Sequence, residues 1–301
     1  AERMYCSFPE IFSTADGRLC RIRARSTLVP RCMLSMAAAN ERLKELNPAI
    51  DITREASKRY LDYMFRMTEA NKIKKEIKQR IAELREREID PSRFVRALVT
   101  DPSLVGNRKE QLRFMNDLYC VASVMQDIDY LDCSFYDLFT FDELCRFWEC
   151  DNYTYYVEKG PDPRNRGRGT ALAETLLDDI VSRAGEDMAA GEPSVRLRFG
   201  HDGCIMALLT LMRIDGWTTP VTDPAKIKDV WQVHRIPMAS NMQFVFYRNK
   251  KNPDDVLVRV LLNEKELRLP LPGDRAPYYR WEDFRDFYAG IVREARLKLE
   301  A

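Results

Sequence analysis

Residues 195–206 read VRLRFGHDGCIM. Val195, Leu197 and Phe199 alternate with Arg196 and Arg198, the two-residue period of a half-buried strand. Gly200 and Gly203 then flank His201-Asp202, and Ile205, Met206, Leu208, Leu209 and Met212 follow as an apolar helical run. The stretch predicts a strand giving way to a helix, with one of only 2 histidines and an aspartate at the junction. Open α/β sheets bind ligands beyond the carboxyl ends of their strands, and a helix amino terminus offers unpaired N–H donors to an anion.

A second junction of the same kind lies in LCRIRARSTLVPRCMLSMAAANERLKEL, residues 19–46. Over 19–25, Arg21, Arg23 and Arg25 alternate with Cys20, Ile22 and Ala24, again at strand period. Pro30 suits the first turn of a helix that continues through Met33 to Leu46 and stops at Asn47-Pro48. Arg31 falls in that first turn, and Arg25 at the end of the strand.

Between these two junctions the chain turns helical and charged. NKIKKEIKQRIAELRERE, residues 71–88, lines Ile73, Ile77, Ile81 and Leu84 along one face. Residues 108–128 repeat the pattern with Leu112, Met115, Tyr119, Ala122 and Met125, and Thr140 to Glu143 fits a capping box opening a helix to Cys150. Residues 158–170, EKGPDPRNRGRGT, read as an exposed connecting loop; Arg164, Arg166 and Arg168 could steer polyanions, but a solvated loop is the preferred reading. A helix over 171–189 follows, then the opening strand and helix, an irregular segment holding His234, a hairpin of MQFVFYR and DVLVRVLLN, and a closing helix over 281–299. Strands at both ends with helices between predict an α/β layered domain interrupted by an all-helical cap. The expected boundaries are 1–57 and 158–301 for the two parts of the α/β domain and 58–157 for the cap.

Composition narrows the function. With 48 basic against 47 acidic residues the net charge is +1, so no overall field points to nucleic acid or anionic lipid, and any anion site is a local cluster. No apolar run reaches membrane-spanning length and no cofactor is implied. The 8 cysteines form no CxxC pair, and 2 histidines cannot complete the usual zinc patterns, so no metal site is expected. Disulfides and scattered free thiols both remain open.

Phosphoryl chemistry needs fixed positive charge, a nucleophile or activated water, and an acid for the leaving oxygen. Arg31 and Arg25 are candidates for the charge, because guanidinium forks match phosphate oxygens. His201 can donate to the same oxygens and Asp202 can supply the proton. An aspartate titrates near ~3.9 unperturbed, so that role asks for burial or neighbouring phosphate charge to raise it, and acid-side activity is the expectation.

ARSTLVPRCMLSMAAANERLKELNP, RLRFGHDGCIMALLTLM and SNMQFVFYRN with DVLVRVLLNE together resemble the histidine acid phosphatases, more narrowly the multiple inositol polyphosphate phosphatase branch that includes phytases. The resemblance implies a phosphoglycerate-mutase-like α/β domain with a helical cap and the active site between them. It implies that His201 contacts phosphate, that Asp202 protonates the leaving alcohol, that Arg31 is the downstream phosphate-binding arginine, and that Arg25 lines the site wall. The implied partner is a small phosphorylated substrate, an inositol phosphate, in a secreted or periplasmic setting. The family's nucleophile is a histidine in an RHGxRxP motif, which these residues do not contain; His234, in WQVHRIPM, follows the His-Asp segment and is given no role. Since the chain begins at Ala1, it reads as a fragment whose first strand and nucleophile are missing, inactive as written and prone to aggregate.

Two other readings stand beside this one: a non-catalytic phosphoanion-binding protein, and a helical interaction protein in which His201-Asp202 is a hydrogen-bonded helix cap. For Arg21 and Arg23 the preferred reading is a polar strand face paired with acidic neighbours.

Overall fold

The computed structural model describes residues 1–14, 19–191, 194–273 and 275–300. Two short helices, α1 (Glu2–Ser7) and α2 (Pro9–Phe12), precede strand β1 (Arg21–Thr27). Pro30 then opens helix α3 (Pro30–Leu46), whose missing N–H is one the first turn leaves unbonded in any case. Strand β2 (Asp51–Ser57) follows. From there to residue 190 the described residues contain no strand. The run comprises α4 (Arg59–Met64), α5 (Met67–Glu88), α6 (Ser92–Leu98), α7 (Arg108–Val124), α8 (Phe141–Lys159), α9 (Arg168–Ala171) and α10 (Glu174–Ala190), with short 3-10 turns between. Strand β3 (Val195–Phe199), helix α11 (Asp202–Leu211) and helix α12 (Pro224–Val230) come next. Strands β4 (Met242–Arg248), β5 (Val256–Leu262), β6 (Lys265–Glu266) and β7 (Tyr279–Arg280) and helix α13 (Trp281–Glu300) complete the chain.

Two sheets result. The first is parallel in the order β2-β1-β3, with Ser26 opposite Ala56 on one side and Phe199 on the other. The second is antiparallel, built on the expected β4–β5 hairpin in which Phe244 faces Val260. Strand β2 was not anticipated from DITREAS. Its side chains are mostly exposed or half buried, as befits an edge strand, so no apolar stripe announces it.

The two faces of the parallel sheet differ in chemistry. Ile22, Ile52, Val195 and Leu197 pack with Leu43 of α3 and Phe12 of α2 into a small apolar cluster. The arginines of the same strands point the other way, toward α10 and α4. There Arg196 pairs with Asp187, while Arg198 donates to Asp179 Oδ2 at 2.7 Å and to Tyr63 Oη at 2.6 Å. Although burial works against it, Arg198 and Tyr63 hold the Asp179 carboxyl below its usual range; burial pushes the Tyr63 phenol up to about 12. A polar strand face is therefore covered by a helix, tolerable only because its charges are matched by donors and acceptors on that helix. Arg25 joins this layer through Glu55, and Arg23 is exposed.

A second, larger core runs from Tyr60 through the helices to Ala295. It joins the helical segment, the antiparallel sheet and α13 in one apolar body. Helix α8 continues to Lys159, past Cys150, burying Tyr153, Tyr156 and Val157, and Asn152 is satisfied inside: its Nδ2 donates to Trp231 O at 2.7 Å and its Oδ1 accepts from Val233 N at 2.9 Å. The capping box of Thr140 and Glu143 forms as read, and Asn107 with Glu110 makes another. All 8 cysteines are free thiols. Among the described residues no helix is long and apolar enough to cross a membrane.

Candidate active site

Because β1 and β3 are parallel neighbours, they leave the sheet side by side, and the helices that follow open in the same place. His201 is the extended residue preceding α11 (φ −120°, ψ 155°), and Asp202 is the first residue of its helical turn. The His201 side chain accepts no N–H from the helix it precedes, whereas Asp202 Oδ1 takes a first-turn N–H, that of Gly203. Arg31, in the first turn of α3, extends its Nη2 to 3.1 Å from His201 Nδ1.

That contact fixes a tautomer. A guanidinium only donates, so Nδ1 accepts and the ring proton sits on Nε2, which lies 3.5 Å from Thr27 Oγ1. Burial, then the neighbouring Arg31 charge, lower the His201 pKa, with Asp202 opposing them. The imidazole is accordingly neutral around pH 7. Cys32 packs beside it, its Sγ donating to Gly200 O at 3.2 Å and lying 3.9 and 4.0 Å from the two ring nitrogens.

The carboxylate of Asp202 is held from a different element. Its Oδ1 accepts from Gly203 N–H at 2.8 Å, and Tyr155, on the last turns of α8, lies near enough for the carboxylate to act on its phenol. Burial, reinforced by that carboxylate, raises the Tyr155 pKa and keeps the phenol a donor. One turn further, Lys159 is only 6% exposed, with its ammonium 4.5 Å from the Tyr155 ring and 2.5 Å from Glu158 Oε2. A Cβ at Gly203 would meet Lys159 Cε at 2.5 Å, so the absence of a side chain there lets α8 reach the start of α11.

The structure thus brings Arg31, His201 and Asp202 together and sets Arg25 apart. Arg25 Nε donates to Glu55 Oε2 at 3.0 Å, with its guanidinium 5.1 Å from the Tyr60 ring centroid. Tyr60 donates to the same oxygen at 2.7 Å, and these two bonds hold the Glu55 carboxyl below its usual range. No hydrogen bond or ion pair among the described residues joins Arg25 to the other three. His234 lies elsewhere, 5.6 Å from the ring of Trp148.

Thr27, Cys32, Tyr155, Lys159 and Gly203 escaped sequence reading as members of the site. The polar pair Ser26-Thr27 closing an arginine-striped strand was the available signal: both are fully buried at the edge where the site opens. Cys32 and Gly203 sit next to Arg31 and Asp202 in sequence, while Tyr155 and Lys159 are brought in by tertiary contact from α8. Chemically, the site combines a guanidinium and an imidazole aimed at one spot with a carboxyl group beside them, an arrangement suited to a doubly charged oxyanion. Among the described residues no three His, Cys, Asp or Glu side chains cluster as metal ligands.

Residues 35–263 match the histidine phosphatase superfamily (branch 2). No curated protein sequence matches the chain. Among solved structures, the multiple inositol polyphosphate phosphatase of Bifidobacterium longum in complex with inositol hexasulfate superposes with a TM-score of 0.73 at 17% identity, covering 95% of this chain and 76% of that one. The apo form of the same enzyme gives 0.68 at 16% identity, over 95% and 77%. Identity this low speaks to fold alone, and it agrees with the phosphoglycerate-mutase-like α/β domain expected from sequence. Since the family match spans most of the residues and includes the β3–α11 junction, this protein belongs to branch 2 of the histidine phosphatase superfamily.

Proposed function

We propose that the protein binds a phosphate group of an inositol polyphosphate between Arg31 and His201, with Asp202 placed to protonate the leaving oxygen of a phosphomonoester. The observation that carries this reading is the 3.1 Å approach of Arg31 Nη2 to His201 Nδ1, between residues 170 apart in sequence. A guanidinium and an imidazole meet at that distance with no carboxylate between them, so a phosphate entering there accepts from both. As the dianion arrives, His201 takes a proton at Nδ1 and turns from acceptor to donor. Asp202, next in the chain, then faces the ester oxygen with Tyr155 near its carboxylate.

The inositol polyphosphate class rests on the sequence resemblance and on the solved neighbour that holds inositol hexasulfate. The helical segment 58–157 is proposed as the cap over this site, a role supported by Tyr155 reaching Asp202 from α8. Arg25 is proposed as a wall residue that braces β1 against β2 through Glu55 without touching the anion. The RHGxRxP motif does not occur in this sequence, and the roles proposed for Arg31, His201 and Asp202 are phosphate binding and protonation of the leaving oxygen.

Isothermal titration with inositol hexakisphosphate tests the reading. Arg31→Ala and His201→Ala should each weaken binding by about tenfold or more, the effect of losing a charge-assisted hydrogen bond worth about 1.5–3 kcal/mol. Because the two side chains touch, the double substitution should cost less than the sum. Unchanged affinity in Arg31→Ala would favour a helical interaction protein. Phosphate release from the unmodified chain would reveal a nucleophile other than the family's histidine.

A further inference from the structure

We infer that the protein carries a second anion site, remote from Asp202, which takes a small organic phosphomonoester. A cavity of about 370 Å³ lies between the loop 161–170, the far end of α11 and the last turns of α13. Thr210, at its floor, is eight residues beyond Asp202 along α11, roughly 12 Å down the axis at the helical rise. The cavity volume falls at the small end of the ligand-pocket range, ~300–1,000 Å³.

The charge of the lining is what commits it to an anion. The loop contributes Arg164, Arg166 and Arg168, which the structure sorts into different roles. Arg164 Nε donates to Asp162 Oδ1 at 2.8 Å, and Arg80 approaches the other oxygen of that carboxylate at 3.4 Å. Arg168 is held by Glu69 and Glu76. The remaining acid of the cavity, Glu294, accepts from Arg213 at 2.6 Å. Arg166 and Lys298 are left as lining cations with no acidic partner among the described residues. Both line the same cavity, and Lys298 Nζ is 3.4 Å from the position a Cβ would take on Gly167, the residue after Arg166. Gly167 has φ +81°, a left-handed conformation that glycine adopts without strain and that turns this part of the loop toward α13.

The end of α11 carries a partial negative charge that the lining cations must offset, although most of its last carbonyls are engaged. The carbonyls of Leu208, Leu209 and Thr210 accept from the backbone N–H groups of Met212, Ile214 and Arg213. Leu211, Ile291 and Ala295, all buried, add apolar groups to the lining beside Thr170, Thr210 and Thr218. Two cations in a cavity partly lined by apolar side chains fit a dianion carried on a compact apolar skeleton better than they fit inorganic phosphate.

The test uses phenyl phosphate as the probe and the full chain carrying Arg31→Ala and His201→Ala, so that the first site is silenced. One residual equivalent should bind, more tightly than inorganic phosphate does, and Arg166→Ser with Lys298→Ser should weaken it by about tenfold or more. No residual saturable binding, or residual binding indifferent to Arg166 and Lys298, overturns the inference. Amide shift mapping on the chain with this cavity intact gives an independent check, since perturbation must centre on Thr210, Leu211 and Ala295, and shifts confined elsewhere overturn it. Failure of the first site reads differently: inositol hexakisphosphate binding would then be indifferent to Arg31 whatever the second site does.

Discussion

The two strand-to-helix junctions look alike in sequence and are built differently. At the end of β1, helix α3 starts without a side-chain cap, and Arg31 stands exposed with its guanidinium reaching His201. At the end of β3, His201 is partly buried among Thr27, Cys32 and Arg31, while Asp202 Oδ1 is held by Gly203 N–H with Tyr155 of α8 nearby. One junction supplies a charge on a long, adjustable arm. The other supplies shaped groups locked by neighbours from three elements. An exposed arginine can follow an arriving anion, whereas a proton donor must be held in place beforehand.

Strand β3 is where this difference can be broken most severely. Arg198 lies three residues before His201 and is the partner of Asp179 beneath the sheet. Arg198→Ala should cost about 3 kcal/mol by leaving that carboxylate poorly paired under a covered face. Urea unfolding measures this, and a loss below about 1 kcal/mol would show that water reaches the layer well enough to make the pair dispensable. Nothing comparable lies under Arg31, so Arg31→Ala should leave the urea midpoint almost where it was.

A smaller effect is expected where α8 meets α11. Gly203→Ala places a methyl 2.5 Å from Lys159 Cε, and the lysine is too enclosed to swing freely. The expected loss is about 1 kcal/mol, at the low end for overpacking, with the Tyr155–Asp202 contact disturbed as well. A midpoint equal to the parent's would mean that Lys159 yields and that the second junction is less rigid than described.

Arg25→Ala should have the least effect on binding. Its guanidinium is engaged by Glu55 and stacked on Tyr60, so phosphate affinity should stay within about twofold and stability should fall by no more than about 1 kcal/mol, as for a partly exposed pair. A larger affinity loss would move Arg25 from the wall into direct contact with the anion.

Much of this was legible in sequence because it is local. The arginine alternation ends at Thr27 rather than 25, the helix opened by Pro30 runs to Leu46 as read, and Trp281 to Glu300 closes the chain one residue past the expectation. The convergence of Arg31 with His201 and Asp202 followed from two strand ends that had to be neighbours for the reading to hold. The unread parts depend on tertiary contact. β2 is an edge strand with no apolar face of its own, and past Cys150 α8 buries Tyr153, Tyr156 and Val157 and places Asn152 against Trp231 and Val233, about 80 residues away. Tyr155 has no local signature, since what makes it part of the site is a helix arriving from the far side.

The central claim is that Arg31 and His201 share one anion, and proton uptake tests it most directly. In the protein His201 is held neutral by burial and by Arg31, so its pKa is low; a bound oxyanion reverses the second influence and raises it. Binding should therefore take up a proton wherever the pH lies between the two values, and affinity should rise as pH falls through that window. Inositol hexasulfate is the suitable probe because its sulfate esters do not titrate there. Titration calorimetry in two buffers of different ionisation enthalpy should show net proton uptake near pH 7 that disappears in His201→Gln. Binding without proton uptake, or uptake that survives the substitution, would contradict the account.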